Sequence, residues 1–205
     1  MSNLPLRSTP RPAAHPTAPS TGVWVGVATI SMSFAAYTSA LVVRQGMGTD
    51  WLHFQLPAIL YVNTIILLAS SVSLELARRN HAPAGRAQAP DIVVLPGPAS
   101  RTASWLSVTL LLGVLFLAGQ IVAWRQLASQ GLFLATNPSS AFFYILTALH
   151  ALHLLGGLGG LLYVQRRLRR SGALDVGPAL SAATLYWHFM AVLWVFIMLL
   201  LLVRL

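Results

Sequence analysis

The chain is 205 residues long, 56% hydrophobic and only 8% charged, with a mean hydropathy of +0.71. Soluble domains carry about a quarter charged residues, so an ordinary soluble enzyme is excluded and a single bundle of membrane helices is indicated. The formal net charge of +9 comes from 13 basic residues, all arginine and set between apolar runs. That placement marks membrane-flanking loops rather than a nucleic-acid-binding face, and the lack of cysteine excludes disulfides, thiolate metal sites and cysteine nucleophiles.

Residues 1–20 hold five prolines and two arginines. They predict a disordered tail without the apolar core of roughly 7–15 residues that a signal peptide needs. Residues 22–43 are uncharged and predict the first membrane helix. A short loop follows, with Trp51 placed as an interfacial anchor. The second helix is predicted over residues 56–77, with Pro57 in its first turn. Asn63, Ser70 and Ser71 share one side of that helix and are expected to face other helices. Glu75 is its single charge, one turn before Arg78 and Arg79. A local ion pair at the membrane surface accounts for it better than an intramembrane proton relay.

Residues 78–104 read as a long loop rich in Ala, Pro, Gly and Arg. The third span covers residues 105–124 and includes Gln120, enough for one interhelical hydrogen bond. The fourth, residues 140–164, contains A-L-H-A-L-H-L-L-G-G-L-G-G. His150 and His153 lie three apart on one helical face, and Gly157 and Gly160 continue that face as a groove. A lipid-facing helix has no use for either feature, so this face is expected to pack on protein. Arg166, Arg167, Arg169 and Arg170 follow, and the fifth span covers residues 178–203. Trp187 and Trp194, seven apart on it, predict a packing stripe or a lipid-contacting ridge. With five spans the two ends lie on opposite sides. The side holding the N-terminus carries ten arginines and the other three, which predicts a cytoplasmic N-terminus and an outside C-terminus.

Three imidazoles at similar depth, His150, His153 and His188, invite a haem or metal reading. Against it, the fifth span offers a single histidine, and no acid lies in the first, third, fourth or fifth span. The preferred reading is that these histidines hydrogen-bond across helix interfaces. The residues show no nucleophile, acid pair or phosphate loop. By themselves they predict an accessory or scaffolding membrane subunit.

Three motifs resemble a family, subunit III of the haem–copper respiratory oxidases, in its short five-helix bacterial form. H-A-L-H-L-L-G-G places His150, His153 and Gly157 on the family's H-G-x-H-x-x-x-G positions. Y-W-H-F-M-A-V-L-W, from Tyr186 to Trp194, is similar to its Y-W-H-F-x-D-x-x-W. L-P-A-I-L-Y-V-N-T with L-L-A-S-S-V-S-L-E matches its helix after the first loop and carries over Asn63, Thr64, Ser70 and Ser71. Gln120 stands where the family has Gln. The likeness runs in order over about residues 22–203. Ala191 stands where the family usually has Asp, and Ala123 where it usually has Glu. The carboxylates of a proton relay are therefore missing here, while the packing role is intact.

The resemblance implies an accessory subunit without a catalytic centre of its own. It would dock on catalytic subunit I and other oxidase subunits of a bacterial cytoplasmic membrane, hold phospholipid between its helices, and sustain proton uptake and turnover. Haem and copper would lie in those partners, with no cofactor in this chain. Four further readings stand beside it: the accessory subunit of a quinol oxidase or of a nitric oxide reductase, a small membrane cytochrome ligating haem through His150 and His188, and a transporter or channel lined by the His/Gly face.

Overall fold

A computed structural model describes residues 18–81, 98–171 and 176–205, and all its regular structure is helical. Five helices follow in order: α1 (Ala18–Met47), α2 (Ile59–Asn80), α3 (Pro98–Ser129), α4 (Pro138–Ser171) and α5 (Gly177–Arg204). The shortest, α2, has 22 residues. At about 1.5 Å per residue that still crosses a hydrocarbon core of about 30 Å. All five are long and apolar enough to span a membrane.

Four of the five helices run past both ends of the apolar runs that predict them. An apolar run ends where side chains reach polar surroundings, but the backbone stays hydrogen-bonded until water can replace its partners. α4 thus continues through its arginine cluster to Ser171, and α3 begins at Pro98 inside the stretch expected to be loop. α2 is shifted rather than extended. Pro57 precedes it in a turn closed by the Leu60 N–H on the Pro57 carbonyl at 3.0 Å, so Pro57 is not in the helix's first turn. The expected tail, up to residue 17, and residues 82–97 of the expected long loop lie outside the described residues.

Local chemistry sets the ends. Gly131, at φ 78°, turns the chain out of α3, where a side chain would be strained, and the Leu132 N–H bonds the Leu127 carbonyl at 3.2 Å. Asn137 caps α4: its carboxamide oxygen accepts the Ser140 N–H at 2.8 Å, with Pro138 opening the helix. The last carbonyls of α5 are held by the α1–α2 loop. Trp51 Nε1 donates to the Arg204 carbonyl at 2.9 Å and the Phe54 N–H to the Leu205 carbonyl at 3.1 Å.

α2 and α3 make the most extensive pairing, while α5 touches α1, α2 and α4. The core holds Phe34, Leu67, Phe116, Phe143, Trp187 and Trp194, all fully buried. Ile65, Leu111, Val192 and Leu199 point outward and are exposed, as a hydrocarbon solvent allows.

Candidate functional site

The hydroxyls of α2 meet the aromatic nitrogens of α5. Trp194 Nε1 donates to Thr64 Oγ1 at 3.0 Å, Trp187 Nε1 to Ser70 Oγ at 3.0 Å, and Ser71 bonds the His188 ring at Nδ1. Position numbers fall on one helix as they rise on the other, so the two run antiparallel. Thr64 and Ser70 each use their own O–H on α2, on the carbonyls of Leu60 at 2.8 Å and Leu67 at 2.6 Å. Each oxygen keeps lone pairs for an indole N–H, which must find an acceptor where there is no water.

The same device joins α3 to α4. Thr147 donates to the Phe143 carbonyl at 2.7 Å and accepts Trp124 Nε1 at 3.0 Å. Ser73 and Thr109 share a hydroxyl bond of 2.8 Å between α2 and α3, and Gln165 Nε2 reaches Ser107 Oγ at 2.5 Å between α4 and α3.

Two glycines make room for Trp187. A Cβ at Gly113 of α3 would lie 2.9 Å from its ring, and one at Gly157 of α4 3.3 Å from it. The indole therefore sits between two bare backbones while its N–H reaches α2. Gly113 was not legible as a site from the sequence, because a single glycine in an apolar run carries no partner information. Gly119, whose Cβ would run into the Asn63 carboxamide, was missed for the same reason. Gly157 is packed closely by Tyr186 and Trp187, whereas nothing lies within 4 Å of a Cβ at Gly160 or at Gly156. All three line one apolar cleft of about 410 Å³, together with Val23 of α1 and Ala179, Ala183 and Tyr186 of α5.

The three histidines occupy three different environments. His150 is fully buried, its ring 5.8 Å from Phe116 and 5.0 Å from Trp194. Its two ring nitrogens have no hydrogen-bond partner among the described residues. His153 turns to α1, 6.0 Å from the Phe34 ring, and its Nδ1 bonds the Leu149 carbonyl of its own helix at 2.7 Å. The expected bond across an interface is therefore made by His188 but not by His150 or His153. The reason is angular: three residues advance a helix by about 300°, so the pair diverges by about 60° and straddles two interfaces.

These placements do not suit a haem held by His150 and His188. His150 packs at the level of Trp194, whereas His188 lies six residues away, about 9 Å along α5. One imidazole is wedged between aromatic rings and the other lines an open groove, so the two do not face each other across a shared space. Among the described residues no three His, Asp or Glu side chains gather as metal ligands.

That open groove, about 450 Å³, is lined by Leu68, Ser71, Val72, Glu75, Arg79 and His188. Glu75 accepts Arg78 Nη2 at 2.7 Å and Arg79 Nε at 2.8 Å, and His188 Nε2 lies 3.8 Å from its second oxygen. The carboxylate is thus tied to cations of its own helix, one turn from where α2 ends. Asn63 Nδ2 donates to the Phe116 carbonyl at 3.3 Å, while Gln120 is buried.

Residues 25–203 match the family described as cytochrome c oxidase subunit III. The chain is 32% identical over 180 residues to cytochrome c oxidase subunit 3 of Synechocystis sp., covering 82% of this chain and 68% of that protein. It is 27% identical over 186 residues to cytochrome c oxidase subunit 3 of Thermostichus vulcanus, covering 88% and 85%. A probable cytochrome c oxidase subunit 3 of Mycobacterium tuberculosis is 33% identical over 95 residues, covering 44% and 45%. With the match running from within α1 nearly to the end of α5, this five-helix, multi-pass membrane chain belongs to the cytochrome c oxidase subunit III family.

Proposed function

We propose that the chain is an accessory subunit of a haem–copper oxidase that docks on catalytic subunit I and contributes no redox centre of its own. The observation that carries this is the use of four hydroxyls at its helix interfaces. Thr64, Ser70, Ser71 and Thr147 each bind an aromatic nitrogen of a neighbouring helix. A side chain engaged in this way holds helices together and is not free to ligate or to transfer protons.

On this reading the electron donor, haem and copper belong to partner subunits. Support for proton uptake and stable turnover comes through a rigid surface offered to them. The missing carboxylates at Ala123 and Ala191 agree with a packing role. Phospholipid is the proposed occupant of the apolar cleft between α1, α4 and α5, whose lining is of glycines, alanines, valines and two tyrosines. The arginine distribution supports a cytoplasmic N-terminus, and the bacterial relatives support the cytoplasmic membrane of a bacterium.

Purification of the tagged chain in mild detergent, with optical spectra and identification of what accompanies it, tests the assignment. The expected result is a larger haem-bearing polytopic partner, and no Soret absorbance once this chain is separated from it. A haem spectrum that stays with the isolated chain and is lost in His188→Ala would overturn it. The electron donor that the purified complex accepts, cytochrome c or a quinol, and its acceptor, oxygen or nitric oxide, decide among the related complexes.

A further inference from the structure

Gln120 and His150 are the least satisfied polar residues of the bundle core. They are 1% and 0% exposed, and neither the carboxamide nitrogen and oxygen of the one nor the two ring nitrogens of the other has a hydrogen-bond partner among the described residues. A buried polar group left unpaired is costly, and four such atoms at one place would outweigh what a single interhelical bond returns.

Helical spacing sets the two residues at one level. Trp124 of α3 bonds Thr147 of α4, and Phe116 of α3 packs on His150 of α4. Gln120 lies one turn from both Phe116 and Trp124 on the same stripe of α3, so it faces α4 between Thr147 and His150. Among the described residues no direct bond joins the carboxamide to the imidazole. Its ring is held on one side by Phe116 and on the other by Trp194, which is itself tied to Thr64.

We infer that an ordered water molecule sits between α3 and α4 and joins the Gln120 carboxamide to the His150 ring. Water both donates and accepts, so it satisfies an amide and an imidazole whichever tautomer the ring adopts. Buried waters commonly make about three such bonds, and the unpaired Oδ1 of Asn63, beside Gly119 on the neighbouring turn, marks the same part of the core as polar. The helix that carries the paired histidines would thus be linked to α3 through a solvent molecule in the middle of the bundle. This inference rests on buried polar atoms and is independent of the oxidase assignment.

Electron microscopy of this chain in whatever assembly it purifies with, at a resolution that shows ordered water, tests it directly. The expected result is a density peak about 2.7–3.2 Å from both a Gln120 side-chain atom and a His150 ring nitrogen. A direct amide–imidazole bond, or no density between the two side chains, overturns the inference. Gln120→Leu and His150→Phe, alone and together, give a second reading through the thermal midpoint of the same assembly. Residues sharing one water lose it once, so the double variant should fall no further than the worse single one, and additive losses would count against a shared water. The density is read on the unsubstituted protein, so a variant that fails to assemble leaves the map decisive.

Discussion

The indole N–H of Trp194 ends on Thr64 Oγ1 at 3.0 Å, and Thr64 turns its own O–H back onto the Leu60 carbonyl at 2.8 Å. The hydroxyl is fixed by its helix before the indole arrives, so the acceptor is pre-aimed. Ser70 with Trp187 and Thr147 with Trp124 repeat the arrangement. Membrane helices gain little from apolar contact alone, because lipid tails are as apolar as leucine. A repeated polar latch therefore sets which helix faces meet.

Thr64→Val keeps the shape of the side chain and strands the Trp194 N–H in the core. The expected loss is about 0.5–2 kcal/mol of bundle stability. Trp194→Phe should cost more, since it also opens a cavity beside Phe116 and His150. Unfolding in detergent of both variants and their combination checks the latch. A coupling energy indistinguishable from zero would show that the 3.0 Å contact contributes nothing to stability.

The glycines should rank by what surrounds them. Gly113→Ala puts a methyl group 2.7 Å from Leu158 and 2.9 Å from the Trp187 ring, which packed neighbours must move to admit. An overpacking cost of roughly 1–3 kcal/mol is expected. Gly157→Ala, with nearest atoms at 3.0 and 3.3 Å, should cost less, and Gly160→Ala should leave the isolated chain unchanged. Thermal midpoints of the three variants give the order, and an equal loss at all three would remove the reading of Gly113 as Trp187's seat.

Much of this architecture was legible in the sequence, because apolar runs of about 20–26 residues with at most one charge leave few alternatives to membrane helices. The Glu75 partners were legible too, since i,i+3 and i,i+4 spacing on one helix fixes the contact before any folding. What the sequence hid is which interface each buried side chain enters. His150 and His153 read as one face, and a divergence of about 60° sends one into the core and the other towards α1. Gly157 and Gly160 read as one groove and do line one cleft, but α5 side chains pack closely against only the first. Partners of this kind depend on how helices rotate against one another, and no single-helix pattern records that.

His153→Leu illustrates the consequence. Its Nδ1 bond is to Leu149 of the same helix, so no interhelical hydrogen bond is lost with the imidazole. Leucine fills similar space against Phe34. The expected change in bundle stability is under about 1 kcal/mol, near the average of measured membrane hydrogen bonds. A loss of several kcal/mol, or separation of α1 from the bundle seen by cross-linking, would show that the imidazole itself holds α1.

The loop that holds the end of α5 should respond to acid. Asp50 accepts Arg44 Nη2 at 2.7 Å, and that hydrogen bond holds its carboxyl below the ordinary value of 3.8. Trp51, the next residue, donates to the Arg204 carbonyl. A depressed carboxylate favours the folded loop wherever it is ionised, so its contribution is fully present above about pH 4. It disappears as pH falls through the lowered folded value. The expected outcome is constant Trp51 emission from neutral pH to about 4, obtained by difference from Trp51→Phe, with a change only below that. Asp50→Asn should abolish the acid step and give near-neutral spectra close to those of the parent, because the ion pair is exposed and screened. An acid step of unchanged size in Asp50→Asn would assign the transition to a different carboxyl group.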